Sequence, residues 1–223
     1  MFGYGSPQDF LLTVVAILIC IILHEFAHAF VALRCGDTTA RDNGRLTLNP
    51  IAHFDLIGFL MLVFARIGYA RPVPVNPNNF RHRKRGMVAV ALSGIVVNLL
   101  LAFLFMPLWL LSVGWRNSNA GYYLFRFLYI FIALNVNLAL FNILPICPLD
   151  GFEVVETLAA PTSKIVKFMR NYGRYVLIIL VGISVIVENT GLPFWLDPLG
   201  MYLGYVGGWI KQGFAAFWRL FIR

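Results

Sequence analysis

Residues 24–28 read His-Glu-Phe-Ala-His and lie inside an otherwise apolar run from Phe10 to Val31. A run of that length is a membrane-spanning helix, and a helix sets His24 and His28 one turn apart on one face. Both rings can then reach a single Zn²⁺, with Glu25 beside them to take a proton from a water on the ion. Imidazoles and a carboxylate at membrane depth are costly unless something offsets them. A metal ion is the natural offset.

Composition agrees with a membrane setting. The 223 residues are 60% hydrophobic and 13% charged, with a mean hydropathy of +0.77, whereas a soluble domain carries about 25% charge. The expected organisation is one membrane-embedded domain, residues 1–223, with a core over about 10–160 and C-terminal helices over about 161–223. The net charge of +8 does not imply nucleic acid, because the basic residues fall in the gaps between apolar runs, as juxtamembrane charges do. The densest cluster, Arg81, Arg83, Lys84 and Arg85, lacks the interleaved aromatics of a single-strand platform. The expected partner is the lipid bilayer. Cys20, Cys35 and Cys147 show no CxxC spacing, so neither a disulfide framework nor a thiolate metal site is expected. The N-terminus lacks a basic start and a small-residue cleavage site, so the first apolar run is expected to persist.

The first span is expected from about Phe10 to Leu33. In Gly44-Arg45-Leu46-Thr47-Leu48-Asn49-Pro50 the polar and apolar residues alternate between Gly and Pro, which predicts a short strand, half of a hairpin. Residues 54–69 are apolar but short and read as re-entrant or interfacial. Three spans follow at Met87–Leu111, Tyr122–Leu144 and Tyr175–Val187. A stretch at 199–222, interrupted by Gly204, Gly207, Gly208 and Lys211, either spans or lies along the interface. The predicted fold is an all-α polytopic membrane bundle of five to six membrane segments, with a short re-entrant β-hairpin after the first helix. If residues 54–69 dip without crossing, residues 34–86, with nine Lys or Arg, and Lys164, Lys167, Arg170 and Arg174 are all cytoplasmic. The external 112–121 loop then holds only Arg116, as the positive-inside rule requires. Glu25 lies roughly 14 Å inward from Arg34 at 1.5 Å per residue, nearer the cytoplasmic side.

A catalytic zinc site uses three protein ligands and a water. The best third ligand is Asp150, in Asn142-Ile143-Leu144-Pro145-Ile146-Cys147-Pro148-Leu149-Asp150-Gly151, where two prolines break the chain at the end of a span. Such breaks are tolerated where they line an enclosed or watery cavity. Zn²⁺, one carboxylate and one hydroxide also sum to zero charge.

HEFAH in a first membrane helix followed by NILPICPLDG at the end of a later one resembles the site-2 protease family of zinc intramembrane metalloproteases. Gly36-Asp37, the 44–50 stretch, His53 and Pro72-Val73-Pro74-Val75-Asn76-Pro77 resemble its short members, which lack PDZ or CBS domains. The resemblance covers about residues 10–160. It implies one Zn²⁺ per chain held by His24, His28 and Asp150, with Glu25 as general base and Asn142 positioning substrate or stabilising the oxyanion. It also implies substrates that are transmembrane segments of other proteins, cut at a prokaryotic plasma membrane in regulated intramembrane proteolysis. Leu92-Ser93-Gly94-Ile95-Val96-Val97-Asn98 matches the family's middle core helix, with Ile95 where the family usually has Pro. Asn98 and the Arg45, Leu46, Thr47, Leu48 strand are the expected substrate contacts, the strand by its free edge. The chain's own mobile elements, a partner or a homo-oligomer would control access.

Blander readings stand beside these. His24 and His28 could pair helices, Asp150 could cap a helix, and Asn98 and Asn142 could be interhelical glue. His53 and His82 are expected at the surface, and Cys20 and Cys147 as small buried residues. Rival functions are an inactive relative that grips membrane helices and a divalent-cation carrier.

Overall fold

Helix ends fall where capping groups and chain direction allow them. The structure is a computed structural model that describes residues 6–53, 55, 71–160 and 162–222. Helix α1, Pro7–Cys35, starts at Ser6, whose hydroxyl accepts the Asp9 N–H, with proline at its first position. It stops at Gly36, whose φ of 111° is a left-handed cap that only glycine adopts cheaply. Two single turns follow, α2 at Thr39–Asp42 and α3 at Pro50–His53. The remaining helices are α4 (Arg83–Ser112), α5 (Asn119–Asn142), α6 (Asp150–Leu158), α7 (Lys164–Thr190) and α8 (Pro198–Trp218). Ser118 caps α5 through the Gly121 N–H, and Asp197 caps α8 through the Gly200 N–H.

Helices α1, α4 and α5 pack through Ala16, Cys20, Ile130 and Phe131, with Leu101 and Phe105 against them. An Arg126–Asp9 ion pair at 2.9 Å joins α5 to the first turn of α1. The glycines of the 199–222 stretch do not interrupt α8. Gly207 allows close approach to α5, where a Cβ would meet Asn137 Oδ1 at 3.2 Å. Tyr202 Oη donates to the Leu140 carbonyl at 3.3 Å and Lys211 Nζ lies 6.0 Å from the Tyr129 ring centre. Helix α8 therefore runs antiparallel to α5, and Trp218 Nε1 ties its far end to the Phe103 carbonyl of α4.

Of the expected five to six membrane segments, four described helices are long and apolar enough to cross: α1, α4 with its 3-10 extension to Trp115, α5 and α7. Apart from residue 55, the 54–69 segment lies outside the described residues.

The expected β-hairpin is not found among the described residues. No strand occurs among the described residues, and 43–48 are turn, bend and irregular backbone. Turn and side-chain hydrogen bonds hold this stretch. Arg45, at 7% exposure, donates from its backbone to the Ala40 carbonyl and from Nη2 to the Arg71 carbonyl. His53 Nε2 donates to the Thr47 carbonyl at 2.8 Å. Within the alternating stretch only Arg45 is buried, and the expected strand edge for substrate has no counterpart among the described residues. His53, expected at the surface, is 2% exposed, with its Nε2 on the Thr47 carbonyl.

Candidate metal centre

The centre is assembled from one turn of α1 and the first residue of α6. His24 and His28 are both buried, with their Nε2 atoms 3.0 Å apart and the rings edge-to-face. Asp150 Oδ2 lies 3.2 Å from His24 Nε2 and 3.4 Å from His28 Nε2. All three ligand atoms fall within 4.8 Å of one another.

Why Asp150 comes here is visible in the chain that precedes it. The irregular 143–149 stretch turns back beneath α6, so that a Cβ on Gly151 would lie 2.2 Å from the Ile143 carbonyl oxygen. Only glycine allows that closeness, and it brings the start of α6 against α1. The Asp150 side chain makes no capping bond and Leu149 is the N-cap residue. The carboxylate is committed to the two imidazoles instead.

The supporting contacts fix His28 by hydrogen bonding and His24 by packing. His28 Nδ1 lies 2.7 Å from the Val90 carbonyl, which can only accept, so Nδ1 carries the proton and Nε2 keeps its lone pair for a metal. Ser93 Oγ donates to the same carbonyl at 2.7 Å. The His24 ring lies flat against Gly94, where a Cβ would be 2.4 Å from Cε1. Two imidazole nitrogens and a carboxylate oxygen converge. Four-coordinate zinc with 2.0–2.1 Å bonds spaces its ligands about 3.3–3.4 Å apart, close to the three separations observed. The donor set and its spacing fit zinc.

Glu25 is half-buried beside the rings, and its Oε2 accepts the Val73 N–H at 3.2 Å. Asn142 ends α5, with Nδ2 donating to the Leu138 carbonyl at 3.0 Å. Asn98 is fully buried, and neither amide atom has a partner among the described residues. Leu46 and Thr47 are half-buried and Leu48 is exposed. Cys20 accepts from Asn135 Nδ2 in the helix core and Cys147 packs at Gly173, so neither joins the ligand group. Sequence reasoning did not find the Val90 carbonyl or the Val73 N–H. Close helix packing at Gly94 was legible from its place in the middle core helix, though not that the His24 ring is what packs there.

Asp37, just past α1, is fully buried and accepts from the Thr39 N–H and hydroxyl, the Asn76 N–H and Asn79 Nδ2. Burial alone would raise its pKa; these hydrogen bonds outweigh burial and hold the carboxyl below the ordinary aspartate value.

The profile of peptidase family M50 matches residues 113–183, a stretch that contains Asn142 and Asp150. YwhC of Bacillus subtilis, which carries the name of a zinc metalloprotease, is 40% identical over 195 residues, covering 85% of this chain and 82% of that protein. Rip2 of Mycolicibacterium smegmatis and Rip2 of Mycobacterium tuberculosis, similarly named, are each 30% identical. They cover 77% and 85% of this chain and 67% and 74% of their own lengths. No solved structure matches.

Proposed function

From a chain that belongs to peptidase family M50, the site-2 protease family, we propose a zinc-dependent endopeptidase that cuts transmembrane segments of other membrane proteins. The observation that carries this reading is the convergence of His24, His28 and Asp150 from two separate helices, with Glu25 alongside. Zinc, when bound, supplies a Lewis acid that brings the pKa of water toward about 7 and polarises a carbonyl oxygen.

The chain's own residues do the rest. His28 is held in its ligating tautomer by Val90, and Asp150 contributes the negative charge that two neutral rings lack. Glu25 takes the proton of the attacking water and returns it to the departing amine. Asn142 becomes an oxyanion donor once its Nδ2 is released from the Leu138 carbonyl. A helical substrate hides its carbonyls in i→i−4 hydrogen bonds and must unwind before attack. With α1 entering from outside, the site lies toward the cytoplasmic side of the membrane.

The test is cleavage of a model transmembrane substrate by the purified chain in liposomes, with and without a zinc chelator. Glu25→Gln is expected to retain zinc and lose cleavage, since the ligands stay and the proton acceptor goes. Full activity in that variant would falsify the general-base role. Metal flux that persists in Glu25→Gln proteoliposomes would favour a carrier instead.

A further inference from the structure

Residues 71–76 form an irregular strap beside the metal centre, pinned at three points. At its start, Arg45 Nη2 donates to the Arg71 carbonyl, and the Arg71 N–H donates to the His53 carbonyl at 3.1 Å. At its end, the Asn76 N–H donates to Asp37 Oδ2 at 2.7 Å. In the middle, the Val73 N–H meets Glu25 Oε2. Pro72 and Pro74 have no N–H, so Val73 offers the lone backbone donor of the Pro-Val-Pro segment.

Arg45 is an unusual residue for such a place. Burying a guanidinium is costly unless its donors are used. Among the described residues no acid pairs with it directly, and its Nε has no partner. The acid whose field acts on it is Glu25. Its strong contact is a carbonyl two residues from the N–H that holds Glu25.

We infer that Arg45 is a positioning residue for Glu25: it fixes the Arg71 carbonyl, thereby the Val73 N–H, and so one oxygen of the carboxylate. The other oxygen is left to receive the proton. A carboxylate tethered by one oxygen cannot swing toward the ligand atoms or out to the strap's far side. This inference rests on the peptidase reading above, and it gives the Gly44-Arg45 corner a role that does not need a strand.

The experiment compares wild type, Arg45→Met and Arg45→Lys in three readouts: bound zinc, kcat and KM on the model transmembrane substrate, and hydrogen exchange of the 71–77 segment. Arg45→Met keeps the bulk and removes the donors; Arg45→Lys keeps a cation with a single donor head. Arg45→Met is expected to keep its zinc and lose about 10–100-fold in kcat, with KM within about twofold, since misplacement by 1 Å suffices for that loss. Val73 exchange should rise about tenfold or more, in Arg45→Met and also in Glu25→Ala, because each removes one end of the same tether. Arg45→Lys should recover most of the lost kcat.

A raised KM with unchanged kcat would make Arg45 a substrate contact and overturn the inference. So would unchanged Val73 exchange in Arg45→Met, or loss of zinc in both Arg45 variants. If the wild type cuts no transmembrane substrate, the peptidase reading fails. The exchange comparison still reports whether Arg45 holds the strap on Glu25.

Discussion

Gly94→Ala is the sharpest perturbation of the site, because it touches no ligand and changes a single hydrogen to a methyl. The new Cβ would stand 2.4 Å from His24 Cε1, 2.6 Å from Nδ1 and 2.7 Å from Nε2. Ordinary contact begins near 3.4 Å, so the imidazole must retreat by about 0.7–1.0 Å or α4 must move away from α1. Zinc ligand distances tolerate about ±0.2 Å. A displacement several times larger removes His24 from the coordination set while leaving His28 and Asp150. Loss of a partner that merely orients a ligand costs about 10–100-fold in affinity, so displacing the ligand itself should exceed that range. Overpacking should cost a further 1–3 kcal/mol or so of stability.

The assay is zinc affinity by competition with a metal indicator, in detergent, beside a melting curve. Gly182→Ala is the matched control, since a Cβ there meets nothing within 4 Å; it should bind zinc normally. A Gly94→Ala protein with an unchanged zinc dissociation constant would refute the reasoning, because His24 would then not be held against α4 as a ligand.

Three further expectations follow from the same geometry. Asp37→Asn should destabilise the fold by about 1–3 kcal/mol at neutral pH, as charge-assisted hydrogen bonds are lost. Because the folded carboxyl sits below its ordinary pKa, its contribution is complete above the unfolded value and disappears as pH falls through the folded one. The melting difference between wild type and Asp37→Asn should therefore be constant near neutrality and shrink below about pH 4. Asn142→Ala should lower kcat by about 10²-fold with zinc content unchanged if its amide stabilises the oxyanion; unchanged kcat would leave it as the helix-end residue bonded to Leu138. Gly151→Ala should release zinc, because its methyl would strike the Ile143 carbonyl at 2.2 Å and push Asp150 out of reach; a full zinc complement would show that α6 can shift without cost.

What could be read without coordinates was the chemistry that depends on residue type and helical spacing. His24 and His28 face the same way because they are four apart on a helix. Asp150 was the best acid available at a broken span, and folding brings it to both rings. The 44–50 stretch misled because period-2 alternation does not distinguish a strand from a turn in which one polar side chain is buried. Arg45 Nη2 and His53 Nε2 donate to the Arg71 and Thr47 carbonyls, and no local pattern announces a partner 26 residues away. Helix α8 was ambiguous for a different reason: Gly207 is a close-approach point on α5, and propensity treats such residues as breaks. The contacts that orient the site are backbone groups, the Val90 carbonyl and the Val73 N–H, whose neighbours in space are invisible to a residue alphabet.

The central claim is that His24, His28 and Asp150 hold one metal ion between α1 and α6, and bound zinc per chain tests it most directly. Purified wild type should carry about one zinc after exhaustive dialysis against metal-free buffer, as expected of a three-ligand site. Asp150→Ala should carry almost none while still migrating as a folded protein. Equal zinc in the two proteins would contradict the account.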